Sequence, residues 1–342
     1  MKRTKIGLFA TGFAVAAMAL AGCGSGGSND KPASDDANQS DSASEGGGES
    51  DSDTYIALVS KGFQHQFWQA VKAGADQAAE EFGVTVSFEG PDKETEVDKQ
   101  IAMLETALAK NPSAIGLAAL DSQSAIPLLE QAQAAGIPII AFDSGVESDI
   151  PVTTVATDNH AAAAEAAKQM AEQINHKGEV AMVVHDQTSG SGQGRRDGFK
   201  DYMEENEPDI TIVDIQYGNG DQATSADITK AMISSHPNLA GIYASNEGSA
   251  IGMVQGYKEA GKKAGDLVLI GFDSGKAQTD AIREGLMYGA VTQNPVGIGY
   301  ETVKAAIAAI NGETLEKTID PGFYFYTKDN IDDEKIAAVL YE

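Results

Sequence analysis

The sequence is poor in cysteine, histidine and basic residues. Cys23 is its single cysteine, so the 342-residue chain can form no internal disulfide and no pair of thiolate metal ligands. Its five histidines lack the spacing of a zinc site. Only 24 lysines and arginines stand against 51 acidic residues, which gives a net charge of −27. Such a chain repels phosphate backbones and anionic lipid, so the composition argues against nucleic-acid binding and against direct contact with a membrane surface.

Complete catalytic and cofactor motifs are also missing. Residues 256–263 have the glycine and lysine spacing of a phosphate loop, but they lack its final Ser or Thr and end a helical pattern. The glycines of residues 190–194 do not complete a dinucleotide-binding fingerprint. His185, Asp186 and Ser189 are the residue types of a hydrolytic triad, but they crowd one short turn. We therefore predict no enzymatic activity, no cofactor and no metal site.

The beginning of the chain has the composition of a targeting segment. Residues 1–23 start with three basic residues, continue with an apolar run too short to span a bilayer, and end in Leu-Ala-Gly-Cys. This ending resembles the bacterial lipobox, which predicts a cleaved signal peptide and a lipid-modified Cys23. Residues 24–53 are mostly Gly, Ser, Asp and Glu, which predicts a disordered acidic tether. We expect an extracytoplasmic protein that is lipid-anchored to the outer face of a bacterial cell membrane.

The tetrapeptide Phe-Asp-Ser-Gly occurs twice, at residues 142–145 and 272–275, each time directly after an apolar, strand-like run. Throughout residues 54–342 such runs alternate with stretches of helical apolar spacing. This alternation predicts parallel sheets with helices on both faces. The pattern and the repeat together predict an α/β protein of two similar, doubly wound lobes with parallel sheets, joined by a multi-strand hinge. For the repeat alone, two ordinary Asp-Ser-Gly turns are the alternative explanation.

Three places in the pattern are expected to carry the chain from one lobe to the other. The first lies near Asp158, the second near Gln293 and the third around residues 326–329. Because open parallel sheets bind ligands beyond the carboxyl ends of their strands, we expect a binding site between the lobes. The crossings define an N-terminal lobe of residues 54–158 and 294–326, and a C-terminal lobe of residues 159–293 and 327–342.

Polar residues at predicted strand ends are the first candidates for binding. Asp143 and Asp273 each follow a strand, and a carboxylate offers two acceptor oxygens to the vicinal hydroxyls of a polyol. Arg195 would supply a planar fork of donors, Asn246 can both donate and accept, and Gln293 lies at a crossing where a side chain can touch both lobes. A capping or surface role is the alternative for each of these residues.

Aromatic residues at the start of the first predicted helix are the second group of candidates. Phe67 and Trp68, the only tryptophan, could lie against the apolar face of a sugar ring. Filling the core is the alternative role for either ring. His65 precedes them in the turn, where it can donate or accept a hydrogen bond or simply remain solvated.

With these features the chain resembles the bacterial solute-binding proteins of ABC sugar importers, in particular the ribose-binding group of the type I periplasmic-binding fold. The resemblance is most specific at residues 60–75, 137–143, 195–199 and 271–273 and at Asn246, within a similar stretch of about residues 55–342. By this resemblance, both lobes and the hinge contribute to a sugar site, which contains His65, Phe67, Trp68, Asp143, Arg195, Asn246, Asp273 and Gln293.

Two positions depart from the ribose-binding pattern. Ser144 stands where the pattern has an arginine, and an aromatic residue of the second lobe is replaced near Gly220, with Tyr217 close by. Both changes alter the predicted pocket, in which we include Ser144. They argue against ribose itself, but not against another small neutral sugar or a polyol.

The resemblance implies a monomeric receptor that binds its sugar between the lobes and presents the closed form to an ABC permease. Membrane contact would be limited to the lipid anchor. Two alternatives stay open: a sensory receptor that passes the closed state to a signalling partner, and a secreted hydrolase that uses Asp143 and Asp273. A repressor of similar fold would need an N-terminal helix-turn-helix, where this chain has a predicted signal peptide and an acidic tether.

Overall fold

The computed structural model describes residues 54–341. The predicted signal peptide, the lipid modification of Cys23 and the acidic tether lie outside the described residues. Within the described range, no helix has both the length and the apolar character needed to cross a bilayer.

The first part of the chain alternates between strands and helices, except that its last two strands have no helix between them. The strands of residues 55–59, 114–117 and 139–142 are short, apolar and largely buried, which is typical of a parallel sheet covered on both faces. The elements in chain order are β1 (Tyr55–Val59), α1 (Gln66–Phe82), β2 (Thr85–Glu89), α2 (Val97–Ala109), β3 (Ala114–Leu117), α3 (Ile126–Ala134), β4 (Ile139–Phe142) and β5 (Thr153–Val155).

The middle of the chain repeats the alternation, and the final part contributes elements to both lobes. The middle elements are α4 (Asn159–Gln173), β6 (Gly178–Val184), α5 (Gly190–Asn206), β7 (Ile210–Tyr217), α6 (Gln222–Ser235), β8 (Leu239–Ala244), α7 (Glu247–Glu259), β9 (Val268–Phe272), α8 (Lys276–Arg283) and β10 (Gly289–Gln293). The final elements are α9 (Pro295–Ile310), β11 (Thr318–Ile319), β12 (Phe323–Thr327) and α10 (Glu334–Ala337).

Two six-stranded sheets organise these elements into two lobes. The first lobe contains the sheet β11-β5-β4-β3-β1-β2, and the second lobe contains the sheet β12-β10-β9-β8-β6-β7. Neighbouring strands run parallel except for β12, which pairs antiparallel with β10. The predicted α/β architecture of two similar, doubly wound lobes is confirmed.

Helices cover both faces of each sheet. Successive residues of a strand point in opposite directions, so each strand contributes side chains to the packing on both faces. In β1, Ile56 and Leu58 pack with α1 and α9, whereas Ala57 and Val59 pack with α2 and α3. In the second lobe, β6 likewise separates the core around α4 and α5 from the core around α6, α7 and α8. Each lobe therefore has its own hydrophobic core in two parts, one on each face of its sheet, and polar strand ends are left to face the other lobe.

The chain crosses between the lobes at residues 156–158, at Asn294 and at residues 320–322. The third crossing lies earlier than the sequence predicted. The reason is that residues 323–327 form β12, which pairs with β10 of the second sheet. Residues 323–326, which the sequence analysis assigned to the N-terminal lobe, are therefore part of the second sheet.

Candidate functional site

A cavity lies between the lobes, beyond the carboxyl ends of the strands of both sheets. It contains about 280 Å³ of space not filled by protein atoms, part of which is open to solvent. Strands β1, β4, β6, β8, β9 and β10 each provide a lining residue at or just after their last position. The lining side chains are Lys61, His65, Phe67, Trp68, Glu94, Asp143, His185, Ser191, Arg195, Asn246, Glu247, Asp273 and Gln293.

Asp143 and Asp273 occupy equivalent turns after β4 and β9. Both backbones are left-handed, with φ of 57° and 81°, a conformation that Asp adopts more readily than most residues. The Asp143 amide donates to the Val155 carbonyl at 2.9 Å, and the Asp273 amide donates to the Val291 carbonyl at 2.6 Å. The neighbouring strand thus holds each turn so that its carboxylate lines the cavity.

Both oxygens of Asp273 are held by groups of its own lobe and of the hinge. Gln293 Nε2 donates to Oδ1 at 2.7 Å, and the Glu247 amide donates to Oδ2 at 2.9 Å. Arg195 Nη1 lies 3.9 Å from Oδ2. Gln293 in turn accepts a hydrogen bond from Thr157 Oγ1, which lies in the first crossing segment. The second-lobe carboxylate is therefore connected, through Gln293 at the end of β10, to the first crossing segment.

Asp143 has fewer protein partners. Ser144 Oγ donates to its Oδ2 at 3.1 Å. Burial raises the pKa of Asp143, although the positive charges of Lys61 and Arg195 offset part of this effect. Ser144, which we expected at the ligand, does not line the cavity. It instead shares a hydrogen bond of 2.8 Å with Ser191 of the second lobe.

Arg195 lines the cavity and is held in place by contacts with other residues of the second lobe. Its Nε donates to Asn159 Oδ1 at 2.7 Å, and its Nη1 donates to the Ser245 carbonyl at 2.9 Å. The guanidinium lies 3.7 Å from the centroid of the Phe272 ring, a cation–π arrangement. These contacts fix the orientation of the fork, and Nη2 donates no hydrogen bond to any of residues 54–341. Asn246 uses its Oδ1 to cap α7 through the Ser249 amide, which leaves its Nδ2 available.

The two aromatic candidates belong to the core and to the cavity wall at once. Phe67 and Trp68 contact each other edge to face, with ring centroids 5.0 Å apart, and both belong to the hydrophobic core of the first lobe. Both also line the cavity. Phe67 is 4% exposed and Trp68 is 1% exposed, so packing against the core fixes the orientation of both rings.

His65 and Glu94 close one end of the cavity. His65 precedes α1, but its side chain accepts no capping hydrogen bond, and its buried Nδ1 has no hydrogen-bond partner among residues 54–341. Glu94, from the loop after β2, accepts a hydrogen bond of 2.7 Å from Trp68 Nε1. Burial raises the pKa of Glu94, but His65, Lys61 and the Trp68 N–H together outweigh it, so the pKa lies below its usual value. Glu94 is therefore an ionised carboxylate in the cavity wall.

Lys61 reaches from the first lobe into the second. Its Nζ donates to Ser191 Oγ at 3.1 Å and to Ser189 Oγ at 3.3 Å, and it lies 3.8 Å from Asp186. All of these groups lie at the N-terminal end of α5. The ammonium is buried, and its hydroxyl and carboxylate partners compensate for the lost solvation.

Glu247 makes the reciprocal contact from the second lobe to the first. Its Oε1 and Oε2 accept hydrogen bonds of 3.1 Å from the amides of Gln66 and Phe67. These amides are the first of α1 and have no intrahelical partner. Because His65 does not cap the helix, a carboxylate of the other lobe does so. Burial raises the pKa of Glu247.

His185 follows β6 and is neutral. Its Nδ1 is hydrogen-bonded to Ser245 Oγ at 2.7 Å. Burial lowers its pKa to about 3, although the neighbouring Asp186 acts in the opposite direction. His185 therefore adds no charge to the cavity near neutral pH.

The structure brings together eight of the nine residues predicted for the ligand site, with Ser144 the exception. Sequence reasoning missed Lys61, Glu94, His185, Ser191 and Glu247. His185 directly follows β6 and Lys61 lies two residues after β1, so the rule that identified Asp143 and Asp273 could have found them. Within residues 54–341, no group of three or more His, Cys, Asp or Glu side chains is arranged to hold a metal ion.

The chain also matches known proteins. Residues 56–314 match the family model of the periplasmic binding protein domain. The D-ribose/D-allose-binding protein of Pseudomonas aeruginosa is 26% identical over 273 residues, which cover 78% of this chain and 85% of that protein. The D-allose-binding periplasmic protein of Escherichia coli is 27% identical, with 74% and 83% covered.

The chain is also similar to solved structures of sugar-transporter solute-binding proteins. An ABC transporter solute-binding protein from Agrobacterium vitis with bound D-fucose is 34% identical and superposes with a TM-score of 0.81, covering 84% of this chain and 100% of that chain. A carbohydrate transporter solute-binding protein from Agrobacterium radiobacter in complex with D-arabinose is 32% identical, with a TM-score of 0.81 and coverage of 84% and 99%. The predicted resemblance and the predicted type I fold are confirmed: the chain belongs to the family of periplasmic binding protein domains.

Proposed function

We propose that this protein is the extracytoplasmic solute-binding component of an ABC importer and that it binds a small neutral sugar or polyol between its lobes. The observation that carries the proposal is the cavity itself. Both lobes line it with groups that donate and accept hydrogen bonds, and aromatic rings form part of its wall. Such a combination matches a ring with hydroxyls along its edge and apolar C–H groups on its faces.

The charges of the cavity favour a ligand without an acidic group. Four carboxylates line it, those of Glu94, Asp143, Glu247 and Asp273, against the two cations of Lys61 and Arg195. A carboxylate or phosphate on the ligand would meet this excess of negative charge in a poorly solvated space. The ligands named for similar proteins, D-ribose, D-allose, D-fucose and D-arabinose, are uncharged.

The contacts between the lobes support a receptor that closes around its ligand. Lys61 bonds to α5 of the second lobe, Glu247 bonds to α1 of the first, and the Ser122 amide donates to the Thr188 carbonyl across the cleft at 3.0 Å. A ligand that touches both lobes stabilises this closed arrangement only through its higher affinity for it. The closed form would then be recognised by the permease.

The proposal includes a monomer without enzymatic activity that is held at the outer face of the membrane by lipid on Cys23. Mass spectrometry of the membrane-associated protein should find a lipid on Cys23, and a Cys23→Ser variant should carry none. A membrane-associated protein with an unmodified Cys23 would contradict the lipid anchor. It would leave the proposal of sugar binding untouched, because the cavity belongs to residues 54–341.

Sugar binding is tested by titration calorimetry with D-ribose, D-allose, D-arabinose, D-fucose and D-tagatose. We expect one sugar bound per chain, and loss of binding in a variant that carries both Asp143→Ala and Asp273→Ala. Absence of binding to every neutral sugar and polyol would contradict the proposal, and turnover of glycosides would favour the hydrolase. Uptake of the bound sugar that persists after deletion of the permease would favour a sensory role.

A further inference from the structure

Three polar side chains that line the cavity, contributed by both lobes, lie close to Gly220, which does not itself line the cavity. A β-carbon at Gly220 would lie 3.1 Å from Asn246 Nδ2, 3.2 Å from Glu94 Oε2 and 3.5 Å from His65 Nε2. Gly220 has a left-handed backbone with φ of 64°. The chain thus places no side chain at the point where these three polar groups converge.

One oxygen of Glu94 is available at this point. Its Oε1 is occupied by the Trp68 Nε1–H, whereas His65 Nε2 lies 3.9 Å from Oε2, beyond the length of a hydrogen bond. No other donor to Oε2 is present among residues 54–341. The Glu94 side chain is only 7% exposed, and its lowered pKa keeps it ionised. A buried, charged acceptor of this kind requires a donor.

We propose that Glu94 determines the sugar specificity of this protein: its Oε2 accepts a hydrogen bond from one hydroxyl of the bound sugar, and the analogue that lacks this hydroxyl is rejected. The inference rests on the proposed function, since it concerns the same cavity. The hydroxyl is the natural partner, because the ligand contributes the donor that the protein does not provide. Its oxygen can accept in turn from Asn246 Nδ2, which also faces this point.

The expected selectivity follows from the cost of an unpaired charge. A deoxy sugar would fill the same space but leave Oε2 without a donor and without water. A hydrogen bond to a charged group contributes enough that its loss weakens binding about 10- to 100-fold. A methyl or methylene group at this end of the ligand is therefore selected against.

The test compares matched sugars on matched variants by titration calorimetry. The pairs are D-ribose with 2-deoxy-D-ribose, D-allose with 6-deoxy-D-allose, D-galactose with D-fucose, and D-galactose with 2-deoxy-D-galactose. The measured quantity is the ratio of the two dissociation constants in each pair. The variants are Glu94→Ala, Glu94→Gln and the control Glu96→Gln, because Glu96 lies in the same loop, pairs with Lys99 at 2.6 Å and does not line the cavity.

We expect the unmodified protein to prefer the parent sugar about 10- to 100-fold in one pair. In Glu94→Ala this ratio should fall to within about threefold of unity, in Glu94→Gln it should be intermediate, and in Glu96→Gln it should not change. The other pairs should keep their ratios in all variants. In Glu94→Ala the preference for the parent sugar should vanish mainly because the parent sugar binds more weakly than it does to the unmodified protein.

A second variant tests whether Glu94 acts on the sugar directly or only by holding Trp68 in place through their hydrogen bond. Trp68→Phe removes the N–H donor to Glu94 and keeps an aromatic ring. If Glu94 acts on the sugar, the ratio between parent and deoxy sugar should survive in Trp68→Phe. The inference is overturned if the protein binds sugars but shows no such preference, or if Glu94→Ala weakens parent and deoxy sugars equally. Failure to bind any sugar would overturn the proposed function as well.

Discussion

The two Phe-Asp-Ser-Gly turns share their sequence and their left-handed aspartate, but they hold their carboxylates differently. Asp273 receives hydrogen bonds on both oxygens, from Gln293 and from the Glu247 amide. Asp143 receives one from its neighbour Ser144. The repeated tetrapeptide thus determines the backbone of the turn, whereas the surrounding elements determine how the carboxylate is bonded.

The difference connects each carboxylate to another part of the molecule. Through Gln293, which directly precedes the second crossing, Asp273 is linked to Thr157 in the first crossing segment. Through Ser144 and Ser191, Asp143 is linked to the N-terminal end of α5 on the other side of the cleft. One aspartate is therefore tied to the hinge, and the other is tied to the contact that forms when the lobes close.

The largest expected effect separates these two roles. Asp143→Ala and Asp273→Ala should each weaken sugar binding about 100-fold or more, since each removes charged acceptors from the ligand. Asp273→Ala should also lower the free energy of unfolding by about 1–3 kcal/mol, because it leaves the Gln293 amide and the Glu247 N–H buried without an acceptor. Asp143→Ala should leave stability nearly unchanged.

Calorimetric titration and urea unfolding of both variants measure the two effects separately. The control is Asp149→Ala. Asp149 is an exposed residue of the first lobe that does not line the cavity, so its substitution should change neither the sugar affinity nor the free energy of unfolding. Equal losses of stability in Asp143→Ala and Asp273→Ala would show that the different bonding of the twin turns has no energetic consequence.

Much of this site was predictable, because strand ends are visible in the sequence. The alternation of apolar runs predicted the two sheets, and the strand-end rule identified Asp143, Asn246 and Asp273. The rule could not identify Glu94, which lies in a loop among other acidic residues, or the contact from Glu247 to α1. Such contacts depend on how two separately folded lobes meet, and no local spacing encodes that arrangement. Similarly, the pairing of β12 with β10 joins segments that the sequence pattern alone leaves unmatched.

A substitution of the Glu247 side chain can weaken closure without breaking the bond to Asp273. The backbone amide of Glu247 donates to Asp273, whereas its carboxylate accepts from the first amides of α1. Glu247→Ala removes the cap of α1 and should weaken sugar binding about tenfold. The melting temperature of the sugar-free protein should change little, because the lost contact joins the lobes and belongs to neither core. Glu247→Gln keeps an acceptor and should weaken binding only about threefold. Unchanged affinity in Glu247→Ala would contradict a role in closure.

His185 should make the Asp143 side of the cavity sensitive to acid, since its Nε2 lies 3.4 Å from Ser191 Oγ, which is bonded to Ser144. Its pKa is about 3 in the folded protein and near 6.5 when unfolded, so the unfolded state binds more protons as the pH falls below 6.5. We expect about 1–2 kcal/mol of stability to be lost between pH 6.5 and pH 5 through this group. In His185→Gln, urea unfolding over this range should show a correspondingly flatter curve, and an identical curve would argue against a buried neutral histidine.

The smallest expected effect concerns the ionisation of Asp143. Burial raises its pKa and Lys61 opposes this rise, so removal of the ammonium in Lys61→Met should raise the pKa further. A carboxylate with a higher pKa takes up a proton earlier on acidification and then no longer accepts two hydrogen bonds. We expect the affinity for the sugar to fall about two- to threefold more between pH 7 and pH 5 in the variant than in the unmodified protein.

Because Lys61→Met also removes the bonds to Ser189 and Ser191, affinity should be lower at every pH, and only the ratio between pH 7 and pH 5 reports on Asp143. The same ratio in both proteins would show that Lys61 acts only as a contact between the lobes.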